Sequence, residues 1–225
     1  MSADLATRLD CLLNGINKLE AKVKAVEESE KITVSRVKIA LHQKQIYAAT
    51  LRKVPTDYYE WSLAERAQLL GCDKAHLCKT IMFKNTMCEH ENTSDIYDSK
   101  YICVVVQYCE KIAGDRLRDF IHKLPPPGQR LSKKKINFQL AEEEISLKLS
   151  GYIHNAVTPL GMLAEMPVII CESCTHLNPP FVWLGGGAVD VKLGITVADL
   201  AAATGAIVTN ISDPRDPAES YAADE

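Results

Sequence analysis

Long apolar runs are missing from this chain, and so is a strong excess of charge. No stretch approaches the roughly 18 consecutive apolar residues that cross a bilayer. The opening Met1-Ser2-Ala3-Asp4 has neither the basic start nor the apolar core of a secretory signal. These two absences predict a cytosolic protein. The net charge is −3 over 225 residues. It divides into −2 for residues 1–30, +3 for 31–211 and −4 for 212–225. A body this weakly basic excludes indiscriminate nucleic-acid binding, so any nucleic acid must meet a local patch. A second cysteine pair is also lacking. Cys171-Glu172-Ser173-Cys174 with His176 therefore falls short of an ordinary zinc set, although metal or redox chemistry there stays open. Gly185-Gly186-Gly187 lacks the lysine and serine of a P-loop and is read as a turn that lets backbone approach closely. No internal repeat is visible.

The chain has the length of one good-sized domain plus an appendage. Leu5, Leu9, Leu12, Ile16, Leu19, Val23 and Val26 recur in steps of four and three, which is a heptad seam. The seam predicts an N-terminal helix over 1–30 that self-associates or docks on a partner. Packing on its own domain is the alternative. Residues 31–211 carry helix and strand signals in irregular alternation. Lys31 to Gln43 reads as a helix, Ile46 to Val54 as a strand, and Ser62-Leu63-Ala64-Glu65 as a capping box. Asp73 is placed to cap a short turn. Strands are expected at Lys79 to Phe83, Tyr101 to Tyr108, Pro167 to Cys171, Phe181 to Leu184 and Ile207 to Ile211. Asp115 is placed to cap a helix, as is Thr196, and Ala141 to Ser150 should form a helix ended by Gly151. The fold class is α+β, a mixed and largely antiparallel sheet or partial barrel flanked by helices. Residues 212–225 read as an acidic disordered tail.

Two features carry chemistry. Lys79 opens an apolar strand, where an ammonium must find a partner or a ligand. Gly151 to Gly161 is a loop with glycine at both ends, Pro159, and no strong acid or base, which suits recognition by backbone. Lys79-Thr80-Ile81-Met82-Phe83, the helix before the loop, and Asn155-Ala156-Val157-Thr158-Pro159 followed by Leu160-Gly161 resemble the YbaK family. So does the stretch from Gly185 to Ile211. That family comprises aminoacyl-tRNA deacylases related to the editing domain inserted in bacterial prolyl-tRNA synthetases. The resemblance spans about Val34 to Ser212.

The resemblance implies hydrolysis of the ester joining a wrong, small amino acid to tRNA, such as alanine or cysteine on a proline tRNA. It implies no cofactor and no metal. The amides around Asn155, Ala156, Val157 and Thr158 would hold the aminoacyl carbonyl, Pro159 would stiffen the loop, and Lys79 would meet the terminal phosphate or ribose. His154, Gly161, Gly186, Gly187 and Asp190 are candidate substrate contacts. Arg130, Lys133, Lys134 and Lys135 form the candidate tRNA patch, with a solvated face as the alternative. Asn155 stands where the family has its first loop glycine. Asparagine tolerates the left-handed region, so the loop shape should survive, while the side chain would narrow or re-aim the pocket. The competing expectation is a catalytically weak module that binds tRNA or a synthetase through the N-terminal helix.

Overall fold

The computed structural model describes residues 2–216. Helix α1, Ser2–Gln43, runs unbroken through the expected division at residue 30. The seam explains why. Its spacing continues through Thr33, Val37 and Ala40, and Val37 and Leu41 are buried against the body. One stripe thus serves two purposes. Leu12, Ile16, Leu19, Val23 and Val26 stand exposed beyond the body, and the later turns pack on it. The side chains of Leu5 and Leu9 lie outside the described residues.

After α1 come β1 (Thr50–Lys53), α2 (Leu63–Leu70), β2 (Cys78–Asn85), β3 (Tyr101–Gln107), β4 (Glu110–Ile112) and α3 (Gly114–Lys123). The chain continues with β5 (Phe138–Leu140), α4 (Glu143–Ser150), β6 (Val168–Cys171), β7 (Phe181–Gly185) and β8 (Val191–Thr196). It closes with α5 (Val197–Thr204), β9 (Ile207–Thr209) and β10 (Ser212–Pro214). The expected α+β class holds. A five-stranded mixed sheet has the order β5-β2-β3-β6-β9, with β2 antiparallel to both neighbours and β6 parallel to β3 and β9. A three-stranded antiparallel sheet has the order β1-β8-β7. A single bridge from Leu77 to Trp183 ties the two together.

Local signals are honoured where the chain itself can satisfy them. The Ser62–Glu65 capping box forms, and Gly71, Gly151 and Gly205 end their helices in the left-handed conformation. Thr196 caps α5 by accepting from the Asp199 amide at 3.0 Å. Neither Asp73 nor Asp115 caps: Asp73 makes no side-chain cap bond, and α3 begins one residue before Asp115. Strand β3 is buried over its whole length, which is why it reads as a continuous apolar run. The tail boundary needs correction. Ser212–Pro214 form a strand against β4, because β4 offers a free edge there. Residues 217–225, the rest of the expected disordered tail, lie outside the described residues.

Candidate functional site

Lys79 is the second residue of β2 and only 8% exposed. Its Nζ lies 5.6 Å from the centroid of the Tyr108 ring. It lines a cavity of about 420 Å³ together with His154, Asn155 and Val157 from the loop after α4. The strand lysine and the loop, far apart in the chain, thus share one cavity. Tyr59, Thr80, Tyr108, Ser146, Tyr152 and Gly185 complete much of its wall. The Thr80 hydroxyl is buried without a hydrogen-bond partner.

The loop is held from several sides. Tyr152 is buried, and its hydroxyl donates to the carbonyls of Leu160 (2.7 Å) and Gly161 (3.0 Å), which staples the loop's two ends. The Arg36 guanidinium sits 4.4 Å from the Tyr152 ring centroid and donates to the Gly151 carbonyl at 2.7 Å. The Gly187 amide donates to the Ala156 carbonyl at 3.1 Å. At Gly185 backbone meets backbone: a Cβ there would fall 2.3 Å from the Val157 carbonyl oxygen, so only glycine lets β7 lie against the loop. Asn155 has φ +65°, the left-handed conformation expected of it. Its carbonyl accepts from the Tyr59 hydroxyl at 2.7 Å and is 3.4 Å from Lys192 Nζ.

The amides divide. Ala156 spends its N–H on the Ile153 carbonyl at 3.0 Å, so it is removed from the expected oxyanion set. Among the described residues the amides of Asn155, Val157 and Thr158 make no backbone hydrogen bond. Of these three residues, Asn155 and Val157 line the cavity. Thr158 is fully buried and its hydroxyl is unsatisfied. Pro159 and Gly161 line a different depression, beside Met162 and Ala203.

The remaining expected contacts sit elsewhere. Gly186 and Gly187 lie outside the cavity wall, and Gly187 supports the loop from outside it. Asp190 pairs with Lys53 at 3.1 Å, and its backbone carbonyl holds the Val54 amide at 2.7 Å. Arg130 donates to the Pro125 carbonyl, Lys133 pairs with Asp119 at 2.6 Å, and Lys134 and Lys135 are exposed. None of the four lines the cavity.

Lys192 is the residue the motifs do not mark. It lies in β8 at 3% exposure, and its Nζ donates to the Tyr59 hydroxyl. Burial, with Arg66 nearby, lowers its ammonium from 10.5 to about 7, and Asp190 opposes the shift. Burial also raises the Tyr59 hydroxyl well above its ordinary value, helped by Tyr108 and Tyr58, so it remains a neutral donor. The signal was available: Val191-Lys192-Leu193 places a lysine in an apolar strand, as Leu77-Cys78-Lys79 does. Tyr59 and Tyr108 carry no such signal, because only the fold brings them to the cavity.

Metal chemistry has limited support in this arrangement. Cys171 and Cys174 are fully buried, and burial pushes the Cys171 thiol up to about 12. Cys174 Sγ faces Cys78 Sγ at 3.9 Å, and His176 is exposed. Among the described residues one group could hold an ion: Cys88, His90 and Asp98. There the Asn92 amide donates to His90 Nδ1 at 3.2 Å, which leaves the ring proton on Nε2 for Asp98 at 3.1 Å. The trio is thus satisfied by hydrogen bonds, and it stands apart from the cavity.

The geometry defines a class: a backbone-lined loop and a buried lysine around a cavity in a mixed α+β fold. Comparison with known proteins agrees. The sequence model of the aminoacyl-tRNA editing domain matches residues 61–203, and the chain belongs to that family. No curated protein matches the chain. A solved structure named as a candidate trans-editing enzyme for prolyl-tRNA synthetase is 19% identical, with a TM-score of 0.61, covering 80% of this chain and 97% of its own. A scaffold from work on epitope backbone grafting is 18% identical, with a TM-score of 0.63 and coverage of 80% and 97%. A hypothetical protein is 17% identical, with a TM-score of 0.59 and coverage of 79% and 99%. At these identities the likeness is one of fold. Among the described residues no helix is long and apolar enough to cross a membrane.

Proposed function

We propose that the chain is a cytosolic trans-editing hydrolase that removes a small noncognate amino acid, such as alanine or cysteine, from a tRNA such as that for proline. One observation carries the reading: Lys79 and the 154–157 loop line the same cavity from separate elements. An aminoacyl ester is activated and needs little acid–base help, so positioning and oxyanion donors can supply the catalysis. In the reaction, a water oxygen bonds to the carbonyl carbon and the bond to the ribose oxygen breaks. The water's proton passes to that ribose oxygen, which leaves as a hydroxyl. The amides of Asn155 and Val157 are the donors for the developing oxyanion. The Lys79 ammonium meets the phosphate or ribose of the acceptor end. Arg130, Lys133, Lys134 and Lys135 contribute tRNA contacts away from the cavity, with Lys133 already shared with Asp119.

The purified protein should hydrolyse at least one of alanyl, cysteinyl and seryl esters of tRNA in a panel assay. No turnover on any mischarged tRNA, together with measurable acceptor-stem binding, selects the second reading: a binding module docked through α1. The exposed stripe Leu12, Ile16, Leu19, Val23 and Val26 supports such docking, on a synthetase or on a second copy of the chain.

A further inference from the structure

Lys192 is costly where it stands. A methionine would fill the same buried strand position without desolvating a charge. Its ammonium lies 5.1 Å from the Tyr58 ring centroid and 4.1 Å from that of Tyr59. It donates to the Tyr59 hydroxyl, and both groups converge on the carbonyl of Asn155. Asn155 lines the cavity and holds a positive φ, which asparagine tolerates better than most non-glycine residues. A strand and a short helical turn, far apart in the chain, thus grip one peptide of the loop. Arg66 of α2, a like charge, and Asp190 just before β8, an opposite one, also act on Lys192, and the titratable side chains Cys78 of β2 and Tyr108 line the same small void.

We propose that Lys192 is a positioning residue for the editing site: through Tyr59 and the Asn155 carbonyl it fixes where the 154–158 loop faces the cavity. This rests on the editing reading and adds a residue to it. The ammonium gives charge-assisted bonds, about twice as strong as neutral ones. The neutral amine that forms as pH rises past about 7 grips more weakly. The loop is therefore held best on the acid side of neutrality.

The test compares the wild type with Lys192→Met and Tyr59→Phe on a tRNA ester that the wild type hydrolyses, between about pH 6 and about pH 9. Near the acid end, Lys192→Met should lower kcat by about tenfold to a hundredfold, with KM little changed. The ratio of wild-type to variant kcat should shrink as pH rises, which cancels the ordinary hydroxide dependence of ester hydrolysis. Tyr59→Phe should give a smaller loss. A ratio that stays flat with pH means a purely structural lysine and overturns the proposal. A second readout needs neither substrate nor mutant activity. In a His154→Gln background, which removes the neighbouring imidazole, the Asn155 to Thr158 amide resonances should shift with one midpoint near 7, and the shift should vanish when Lys192→Met is added. Amides that do not titrate overturn the clamp. A wild type that hydrolyses no ester, with amides that do titrate, overturns the editing reading and leaves the clamp standing.

Discussion

Arg36 lies over Tyr152, its guanidinium carbon 4.4 Å from the ring centroid, and this contact joins α1 to the loop that lines the cavity. The pair ties the later turns of α1 to the loop. The helix's last turns are part of the site's support, while its first turns project past the body.

Arg36→Ala should therefore destabilise the fold. It removes a stacked cation and the donors to the Ser150 and Gly151 carbonyls. The expected loss is about 2–3 kcal/mol in urea unfolding. A loss under about 0.5 kcal/mol, the range of ordinary surface changes, would separate α1 from the loop's support.

Gly185→Ala tests the close approach of β7 to the loop. The new methyl would meet the Val157 carbonyl at 2.3 Å, so β7 or the loop must move. We expect a drop of about 2 kcal/mol or more in stability and a matching loss of deacylation. Wild-type stability in this variant would mean that the loop yields freely.

Lys79→Ala should lower deacylation by at least about tenfold, with the thermal midpoint nearly unchanged. Lys79→Arg should restore part of the activity if charge at the acceptor end is what matters. Unchanged turnover in Lys79→Ala removes the lysine from the mechanism.

Lys192 has a stability signature opposite to that of a lysine that gains an ion-pair partner on folding. Its folded value, about 7, lies below the ordinary 10.5, so the unfolded chain binds more protons between those values. Stability must then rise as pH rises through that window, by up to about 5 kcal/mol. Lys192→Met should flatten this rise and be more stable than the wild type near neutral pH. Parallel unfolding curves at pH 7 and pH 10 for both proteins would show that the ammonium is solvated.

The projecting seam has its own check. Ile16→Lys with Leu19→Lys should leave the unfolding of the body unchanged. The pair should abolish any concentration-dependent increase in mass seen by light scattering, or any binding to a partner synthetase.

Much of the local structure was legible because neighbours in sequence decide it. The Ser62 capping box, the left-handed glycines at 71, 151 and 205, and the buried run of β3 needed no distant partner. Lys79 and the Asn155 loop were visible through a misplaced charge and an unusual turn. That α1 runs unbroken past residue 30 was not legible, because one heptad stripe is continuous whether it faces solvent or the body. Ser212 to Pro214 looked like tail because a strand's edge partner leaves no mark on the strand itself.

Residue order named the candidates for chemistry: a lysine among apolar neighbours and a glycine-flanked loop without a strong acid or base. Only the folded chain decided which of them meet. Burial turned Lys192 into a near-neutral amine, and packing brought Tyr59 to the Asn155 carbonyl. It also set Pro159 and Gly161 against another depression. Desolvation and long-range contact depend on what lies above a residue in space, and neighbours in sequence do not specify that.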